Sequence, residues 1–295
     1  MKKIVILGGS GFVGTNLTEK LLAKDYQVLI LDIMPSRLTH QNLTFHKLNL
    51  MDEDIPTEII INSHGIINLA GIPIFGRFTK KYKDLIYKSR ILTTRNIVKA
   101  IMSLEVRPKV LVSASAIGYY GDQKDKLLNE EMPSGEDFLS HVCKDWETEA
   151  LKLKDTGTRV VILRTAHVIG QGSLAKILKN LFTKNIGGYF GNGAQRMPWI
   201  SSSDLVDMYI FALEENIKGI YNTASNSPTQ KEFMNAFKER YKSLFTWSIP
   251  RFFGFLLYGE FIDTLLGGQN IDSTKIKNSA FVFKDTELKE LLKNI

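Results

Sequence analysis

The stretch that most limits the possible folds of this chain lies at its N-terminus, where an apolar run meets three evenly spaced glycines. Residues 4–7 are apolar without interruption, which is typical of a strand buried on both faces of a parallel sheet. The glycines then recur as G-x-x-G-x-x-G, at Gly8, Gly11 and Gly14. Leucines at helical spacing follow over residues 17–22. The stretch therefore predicts a strand, a tight turn and a helix.

This geometry suits a dinucleotide, because a helix N-terminus presents unpaired N–H groups and a positive dipole end to a pyrophosphate. Gly8 allows the turn, Gly11 lets a phosphate approach the backbone, and Gly14 lets the helix pack closely on the strand. Phe12 and Val13 open the helix and belong to the same predicted cofactor site. The alternative is a structural turn that binds nothing.

A second apolar run, residues 28–31, ends in Asp32. A carboxylate at this distance from the glycines accepts hydrogen bonds from the ribose hydroxyls of NAD and repels the 2′-phosphate of NADP. Arg37 lies near enough in the sequence to hold that phosphate instead. We therefore expect NAD as the cofactor, with NADP as the alternative.

Apolar runs and alternating patterns predict further strands at residues 43–48, 66–71, 108–113, 158–164 and 219–224. The predicted fold class is α/β, a doubly wound parallel sheet. Leu50 follows the third strand and is expected near the adenine. The fourth strand ends in Leu69, Ala70 and Gly71, whose small size leaves room for the ribose and pyrophosphate; a plain strand end is the alternative.

The fifth strand leads into the stretch SASAIGYYG, at residues 113–121. Ligands of open α/β sheets bind outside the carboxyl ends of the strands, and this loop is one such end. Ser115, Tyr119 and Tyr120 are therefore candidates to hydrogen-bond a carbonyl or carbinol and to help move its proton.

Glycine becomes frequent after residue 168, and the alternation of long strands and helices loosens. We interpret residues 1–168 as a dinucleotide-binding domain and residues 169–295 as a smaller substrate-covering part. Residues from about 200 to 225 are expected to return to the main sheet. Arg196 and Trp199 lie in a glycine-rich stretch of this second part and are candidate substrate contacts.

Composition excludes several other classes of protein. Apolar residues make up 44% of the 295 positions, which is ordinary for a globular protein and argues against disorder. The net charge of +7 indicates a solvated basic surface, because no nucleic-acid motif accompanies it; an oligonucleotide binder remains the alternative. A single cysteine, Cys143, excludes an internal disulfide, and five separated histidines show no metal-ligand spacing. We expect a soluble cytoplasmic protein with no metal, membrane or nucleic-acid partner, and a homodimer as its possible assembly.

The order and spacing of GGSGFVG, INLAG, SASAIGYYG and LRTAHVIG resemble the extended short-chain dehydrogenase/reductase superfamily, which contains nucleotide-sugar epimerases and dehydratases. The strings SRILTTRNIV, FLSHVCKDWETEA and LLGGQNI are similar to its "epimerase family" branch of atypical members, over nearly the whole chain. The resemblance implies NAD(P)-dependent hydride transfer on a carbonyl or carbinol, with a nucleotide sugar as one substrate class.

The resemblance also implies a Tyr-x-x-x-Lys pair on the helix after the fifth strand, and this chain departs from that pattern. The tyrosine position falls at Leu139 and the lysine position at Cys143. Three interpretations stay open: the acid/base role has moved to Ser115 with Tyr119 and Tyr120; His141, Cys143 or Lys144 takes part; or the protein is a dinucleotide-binding sensor or scaffold without turnover.

Three assignments carry further alternatives. The family serine falls either on Ser115 or on Ala116, depending on how the doubled tyrosine is aligned. Arg164 ends the sixth strand, either as a contact near the nicotinamide or as one half of an ion pair. Arg196 can pair with a phosphate, whereas Trp199 either stacks on a ligand ring or packs in the core.

Overall fold

The structure is a computed structural model that describes residues 1–172 and 174–295 of the chain. Its strands are β1 (Lys3–Leu7), β2 (Gln27–Asp32), β3 (Leu43–Lys47), β4 (Gly65–Asn68), β5 (Val110–Ala116), β6 (Leu127–Leu128), β7 (Arg159–Thr165), β8 (His167–Ile169), β9 (Gly188–Phe190), β10 (Trp199–Ser201), β11 (Gly219–Thr223), β12 (Trp247–Ile249) and β13 (Asn270–Ile271).

Its helices are α1 (Phe12–Ala23), α2 (Thr57–Ile60), α3 (Lys80–Met102), α4 (Phe138–Leu151), α5 (Leu174–Thr183), α6 (Ser202–Glu214), α7 (Gln230–Arg240), α8 (Arg251–Tyr258), α9 (Phe261–Leu266), α10 (Thr274–Asn278) and α11 (Leu288–Lys293). A short 3₁₀ turn, Ile117–Tyr120, follows β5.

A parallel sheet forms the centre of the described chain, with seven strands in the order β3-β2-β1-β4-β5-β7-β11. The predicted doubly wound α/β class is confirmed. Strand β1 is an interior strand, between β2 and β4, which explains why Ile4 and Leu7 are completely buried. The chain leaves β1 toward β2 on one side and later returns to β4 on the other. This reversal opens a crevice at the carboxyl ends of β1 and β4, where open α/β sheets bind ligands.

Helices cover both faces of the sheet. On one face α1 packs against α6, through buried residues that include Leu21 and Met208. On the other face α3 packs against α4, and Ile97 and Ala150 belong to the core there. Helix α4 begins where the Asp137 side chain accepts a hydrogen bond from the Ser140 amide, so the cap fixes its first turn beside the end of β5.

A third core cluster lies in the C-terminal part and joins α5, α7 and α11. Phe182, Phe233 and Phe237 are completely buried in it. A capping box starts α7, where the side chains of Thr229 and Glu232 each bond the backbone amide of the other residue. Strand β11 pairs with β7 and forms one edge of the main sheet.

None of the helices in the described part of the chain is long and apolar enough to cross a membrane.

Candidate functional site

The glycine turn keeps open the space that a dinucleotide needs. Gly8 has a φ of +75°, and a Cβ there would lie 2.9 Å from the Cα of Ala70, at the end of β4. At Gly14 a Cβ would lie 2.6 Å from the Cα of Gly9, so α1 is held tightly against the turn. Gly11 is the N-cap of α1, and no side chain of the described residues caps that helix. The first amides of α1 are therefore available to a pyrophosphate.

Asp32 connects the end of β2 to this turn. Its carboxylate accepts hydrogen bonds from the Ser10 amide at 3.0 Å and from the Met34 amide at 3.1 Å. An ionised carboxylate has about four lone-pair sites, so both oxygens keep capacity for ribose hydroxyls. Arg37 is exposed and forms no ion pair with the residues that the structure describes.

A cavity of 380 Å³ lies beyond the carboxyl end of β5. Strand β5 contributes Ser115, helix α4 contributes Leu139 and Cys143, β8 contributes His167, and α9 contributes Thr264. A more open cleft of 610 Å³ adjoins it and shares Leu139 and Thr264 as lining. The cavity is thus formed jointly by the sheet domain and the C-terminal part of the chain.

A buried hydrogen-bond network forms one wall behind this cavity. The Ser115 hydroxyl donates to Glu147 Oε1 at 2.6 Å. The Glu147 carboxylate accepts hydrogen bonds from Arg164 Nε and Nη2, each at 2.8 Å. The third nitrogen, Arg164 Nη1, donates to the Tyr120 hydroxyl at 2.9 Å. Tyr120 in turn donates to Asn222 Oδ1 at 2.7 Å. Arg164 and Glu147 are only 1% and 4% exposed, so their pairing satisfies two charges that could not be left alone in the core.

The network limits what the two tyrosines can do. The Tyr120 hydroxyl is fully buried and has partners for both donor and acceptor. Burial raises the pKa of Tyr120 to about 12, although the Arg164 guanidinium opposes this rise. The Tyr119 ring lies under the same guanidinium, with its centroid 3.4 Å from Arg164 Cζ. Both rings therefore hold Arg164 in place, and Tyr120 is a weak proton acceptor at neutral pH.

Arg164 was predicted either to contact the nicotinamide or to form an ion pair, and the structure contains an ion pair between Arg164 and Glu147. Burial opposes its charge, but the Glu147 carboxylate raises the pKa of Arg164 above its ordinary value. The guanidinium is closed off by Glu147, Tyr120 and Tyr119, and Arg164 does not line the cavity.

Helix α4 places its candidate residues differently. Leu139 and Cys143 are buried and line the cavity, whereas His141 and Lys144 are exposed and do not line it. Burial, with a contribution from the Glu147 carboxylate, raises the pKa of the Cys143 thiol to about 12. The thiol is therefore protonated at neutral pH and is a poor nucleophile.

The remaining predicted residues divide between lining and packing. Arg196 lines the cavity, and its Nε donates to Asp125 at 2.5 Å. Trp199 is 1% exposed in the third core cluster and does not line the cavity, so its position is that of a packing residue. Leu50 is also buried in the core, and the Phe12 ring lies against the backbone near Gly170.

The comparison with protein families gives two matches. Residues 4–224 match the family described as the NAD dependent epimerase/dehydratase family, and residues 249–295 match a domain of unknown function, DUF1731. The first match covers most of the chain, including the glycine turn, the β5 end and α4. The chain belongs to the NAD-dependent epimerase/dehydratase family.

Relatives within this family match from end to end. The chain is 31% identical to "Epimerase family protein YfhF" of Bacillus subtilis, over 99% of this chain and 97% of that protein. It is 32% identical to a chloroplastic "Epimerase family protein SDR39U1 homolog" of Arabidopsis thaliana, over 99% of this chain and 86% of that one. The predicted resemblance to the "epimerase family" branch is confirmed.

Solved structures of related proteins share the architecture. The human epimerase family protein SDR39U1, solved with NADPH, superposes with a TM-score of 0.87 at 27% identity and covers 99% of this chain and 98% of that one. MoeE5, solved with UDP-glucuronic acid and NAD, gives a TM-score of 0.83 at 18% identity, with 99% and 96% of the two chains covered. The second likeness concerns the fold alone.

Sequence reasoning missed several polar residues of the cavity in this family member, among them Arg90 and His167. Burial lowers the pKa of His167 to about 4, so its imidazole is neutral at pH 7. His167 follows the sixth predicted strand, and only the fold shows that β8 turns it toward α4. Arg90 had a signal in the sequence, because it follows Ile86 by four residues and so lies close to the buried face of α3, where a charge is unexpected.

Proposed function

We propose that the protein transfers hydride between a nicotinamide dinucleotide and a carbonyl or carbinol substrate held in the 380 Å³ cavity. One observation carries the proposal: Ser115, at the end of β5, faces that cavity while its own proton is donated to buried Glu147. Its oxygen lone pairs are therefore left to accept a hydrogen bond from a ligand hydroxyl.

The residues that would hold the dinucleotide fit it. Gly8, Gly11 and Gly14 with the first amides of α1 would take the pyrophosphate, and Asp32 would take ribose hydroxyls. Leu69 follows β4 and its backbone lies beside Gly8, so it is proposed as a further contact. When bound, the dinucleotide supplies or accepts the hydride.

The proposal prefers NAD over NADP. Asp32 remains a carboxylate at the position where NADP carries an additional phosphate, and like charges repel. The human relative was solved with NADPH, so a preference for NADPH with Arg37 as the phosphate contact is the competing assignment.

The chain's own groups would position the substrate oxygen and exchange its proton with His167: the imidazole takes the proton when a carbinol is oxidised, and the imidazolium returns it when a carbonyl is reduced. Ser115 holds the carbinol proton in a hydrogen bond, and neutral His167 lines the same cavity with a nitrogen able to accept a proton. Tyr119 and Tyr120 act through Arg164 and Glu147 as positioning residues for Ser115. Arg196 lines the far side as a substrate contact.

The adjoining 610 Å³ cleft supports a larger substrate such as a nucleotide sugar. It is lined by both charged and apolar groups, among them Lys83, Phe78 and Arg251. A nucleotide would occupy this cleft while its sugar entered the cavity, because the two spaces share Gly118 and Leu139 as lining.

A pair of serine variants tests the proposal. Ser115→Ala removes the oxygen that faces the cavity, whereas Ser113→Ala removes a buried hydroxyl of the same strand that does not line it. We expect Ser115→Ala to lower kcat for NADH oxidation, with whichever carbonyl of a test panel is reduced, by about 10- to 100-fold. Ser113→Ala should stay within about twofold of the wild type.

Equal rates for the two variants would contradict the role of Ser115, and no oxidation of NADH or NADPH with any member of the panel would contradict hydride transfer itself. That second result would favour the other candidate, a dinucleotide-binding sensor without turnover. The occupied Tyr120 hydroxyl and the apolar Leu139 at the family tyrosine position favour this candidate.

A further inference from the structure

Arg90 is a cation of the cavity wall without a carboxylate partner. It lies on α3, and no ion pair among the described residues involves it. The other arginine that lines the cavity, Arg196, is paired with Asp125, and the arginine behind it, Arg164, is paired with Glu147. A charge removed from water is costly unless it is paired, so an unpaired guanidinium in such a wall calls for an explanation.

The guanidinium is held in place but only partly used. Nη2 donates to the Ile72 carbonyl at 3.0 Å, while Nη1 donates to the Ile86 carbonyl at 3.2 Å and to Ser89 Oγ at 3.4 Å. A guanidinium has five N–H donors, so Nε–H and one Nη2 proton have no acceptor among the residues that the structure describes. Gly71 leaves room for the group, since a Cβ there would lie 3.1 Å from Arg90 Cζ.

Another arginine of the same chain shows what these two nitrogens do when a carboxylate is present. Arg164 uses Nε and Nη2 to hold both oxygens of Glu147, each at 2.8 Å. This side-on, two-bond arrangement is the strongest and most directional contact that arginine makes with a carboxylate. The corresponding nitrogens of Arg90 therefore have the donor pattern that a ligand carboxylate requires.

A second unsatisfied donor lies in the same wall. Trp146 is 5% exposed and lines the cavity, and its buried Nε1–H has no hydrogen-bond partner within residues 1–172 and 174–295. Arg90 Cζ lies 5.4 Å from the centroid of the Trp146 ring. The ionisable groups that act on Arg90 most strongly are Cys143 and Tyr82, neither of which is a carboxylate. A wall with two unpaired donors and no counter-charge favours an anionic, acceptor-rich ligand.

We propose that Arg90 is the anion subsite of the cavity and that the substrate carries a carboxylate that pairs with it. This inference rests on the proposed function, because it names the substrate class of the same cavity. The pyrophosphate of the dinucleotide is the other source of an anion, but its proposed place is at the glycine turn, where the α1 amides are uncapped.

The test compares carboxylates with neutral partners of the same skeleton. The three pairs are D-glucuronate with D-glucose, 4-oxobutanoate with butanal, and phenylglyoxylate with acetophenone. Each compound is titrated into the protein saturated with NADH, or with NADPH if that binds more tightly, and tryptophan fluorescence is followed. Trp146 lies beside Arg90, so a bound carboxylate should change this signal, and Trp146→Phe should remove the change.

We expect at least one carboxylate to bind at least about tenfold more tightly than its neutral partner, which corresponds to about 1.4 kcal/mol. Arg90→Gln should abolish this preference, and Arg90→Lys should retain part of it, because charge is kept and the two-bond geometry is lost. Arg95→Gln is the matched control: Arg95 is on the same helix, is exposed and pairs with Glu149 outside the cavity. The Arg95→Gln variant should prefer the carboxylate over its neutral partner as strongly as the wild type does. Thermal unfolding checks that each variant is folded.

Two results would overturn the subsite. One is that no carboxylate exceeds its neutral partner. The other is that Arg90→Gln weakens dinucleotide binding by about tenfold or more while the variant still prefers carboxylates to their neutral partners. That result would assign Arg90 to a cofactor phosphate. Both differ from failure of the proposed function, which would appear as absent dinucleotide binding or absent NADH oxidation. A carboxylate preference that depends on Arg90 would stand even without turnover.

Discussion

His167 shows how burial sets the protonation state of a single residue in the cavity. The ordinary pKa of histidine is 6.5, and burial lowers that of His167 to about 4. The folded protein therefore holds the neutral imidazole at a pH where the unfolded chain would bind a proton. Protonation then favours unfolding, so this stability is complete above pH 6.5 and is lost as the pH falls from 6.5 to 4.

We expect the free energy of unfolding to fall by about 2 kcal/mol between pH 6.5 and 4 because of this one group, after allowance for its partial exposure to solvent. His167→Asn should flatten the pH dependence over that interval, and the control is the same substitution at His141, an exposed residue outside the cavity. Urea unfolding at several pH values measures this. Identical pH profiles for His167→Asn and the wild type would show that His167 is not held neutral.

Asp32 carries the prediction of cofactor choice. Asp32→Asn keeps an oxygen for the Ser10 or Met34 amide and removes the charge that repels a 2′-phosphate. Calorimetric titration should show tighter binding of NADH than of NADPH by the wild type, and a preference reduced by about tenfold in Asp32→Asn. Tighter NADPH binding by the wild type, lost in Arg37→Ala, would assign the phosphate contact to Arg37.

Residue types alone predicted candidates but not their roles. Ser115 and Tyr120 were chosen because hydroxyls at a strand end suit acid/base chemistry, yet their partners Glu147 and Asn222 are 32 and 102 positions away in the chain. Only the fold shows that the Tyr120 hydroxyl is enclosed. Arg90 was overlooked because it belongs to no apolar run, glycine turn or strand end.

At the scale of elements, the pair Arg164 and Glu147 ties β7 to α4 and fixes the wall behind Ser115. Breaking such a pair leaves one buried charge uncompensated, which costs more than the pair itself contributes. The stability of the cavity wall therefore depends on both charges being present or both being absent.

We expect Glu147→Gln and Arg164→Met each to lower the free energy of unfolding by about 3–5 kcal/mol. In the double variant the free energy of unfolding should fall by clearly less than the sum of the two single losses, because no unpaired charge is left in the core. Arg95→Gln, which removes an exposed arginine while Lys152 still pairs with Glu149, should cost less than about 1 kcal/mol. Denaturant unfolding provides all four values, and strictly additive losses would contradict the coupling.

Long elements were predictable because their periodic patterns extend over many residues. All seven strands of the sheet were expected from apolar runs or alternation, and α1 from the helical spacing of its leucines. The short parallel pairs β6–β13, β8–β10 and β9–β12 were not, since each strand has only two or three residues. Their pairing depends on how the C-terminal part folds against the sheet, which no local pattern records.

At the scale of the whole molecule, the strand order brings the glycine turn, the β5 end and α4 to one edge of the sheet. The C-terminal part then adds α9 and residues such as Gln269 to the cavity. This arrangement places the crevice at the glycine turn next to the strand end that opens into the 380 Å³ cavity. The division at residue 168 and a homodimeric assembly stay predictions.

The most direct test of hydride transfer is to follow the hydride itself. The protein is incubated with NADH or NADPH deuterated at C4, on either face, together with a mixture of carbonyl metabolites that includes nucleotide sugars, and the products are examined by mass spectrometry. The control is Gly11→Val. Gly11 has a φ of −72°, and a Cβ there would meet only the Gly8 oxygen at 3.4 Å, so the variant should fold while its side chain blocks the phosphate.

We predict a product one mass unit heavier with the wild-type protein, and none with Gly11→Val. The account would be contradicted if the labelled dinucleotide bound to the wild-type protein but transferred no deuterium to any of the carbonyl compounds. The protein would then be one that senses the dinucleotide without using it.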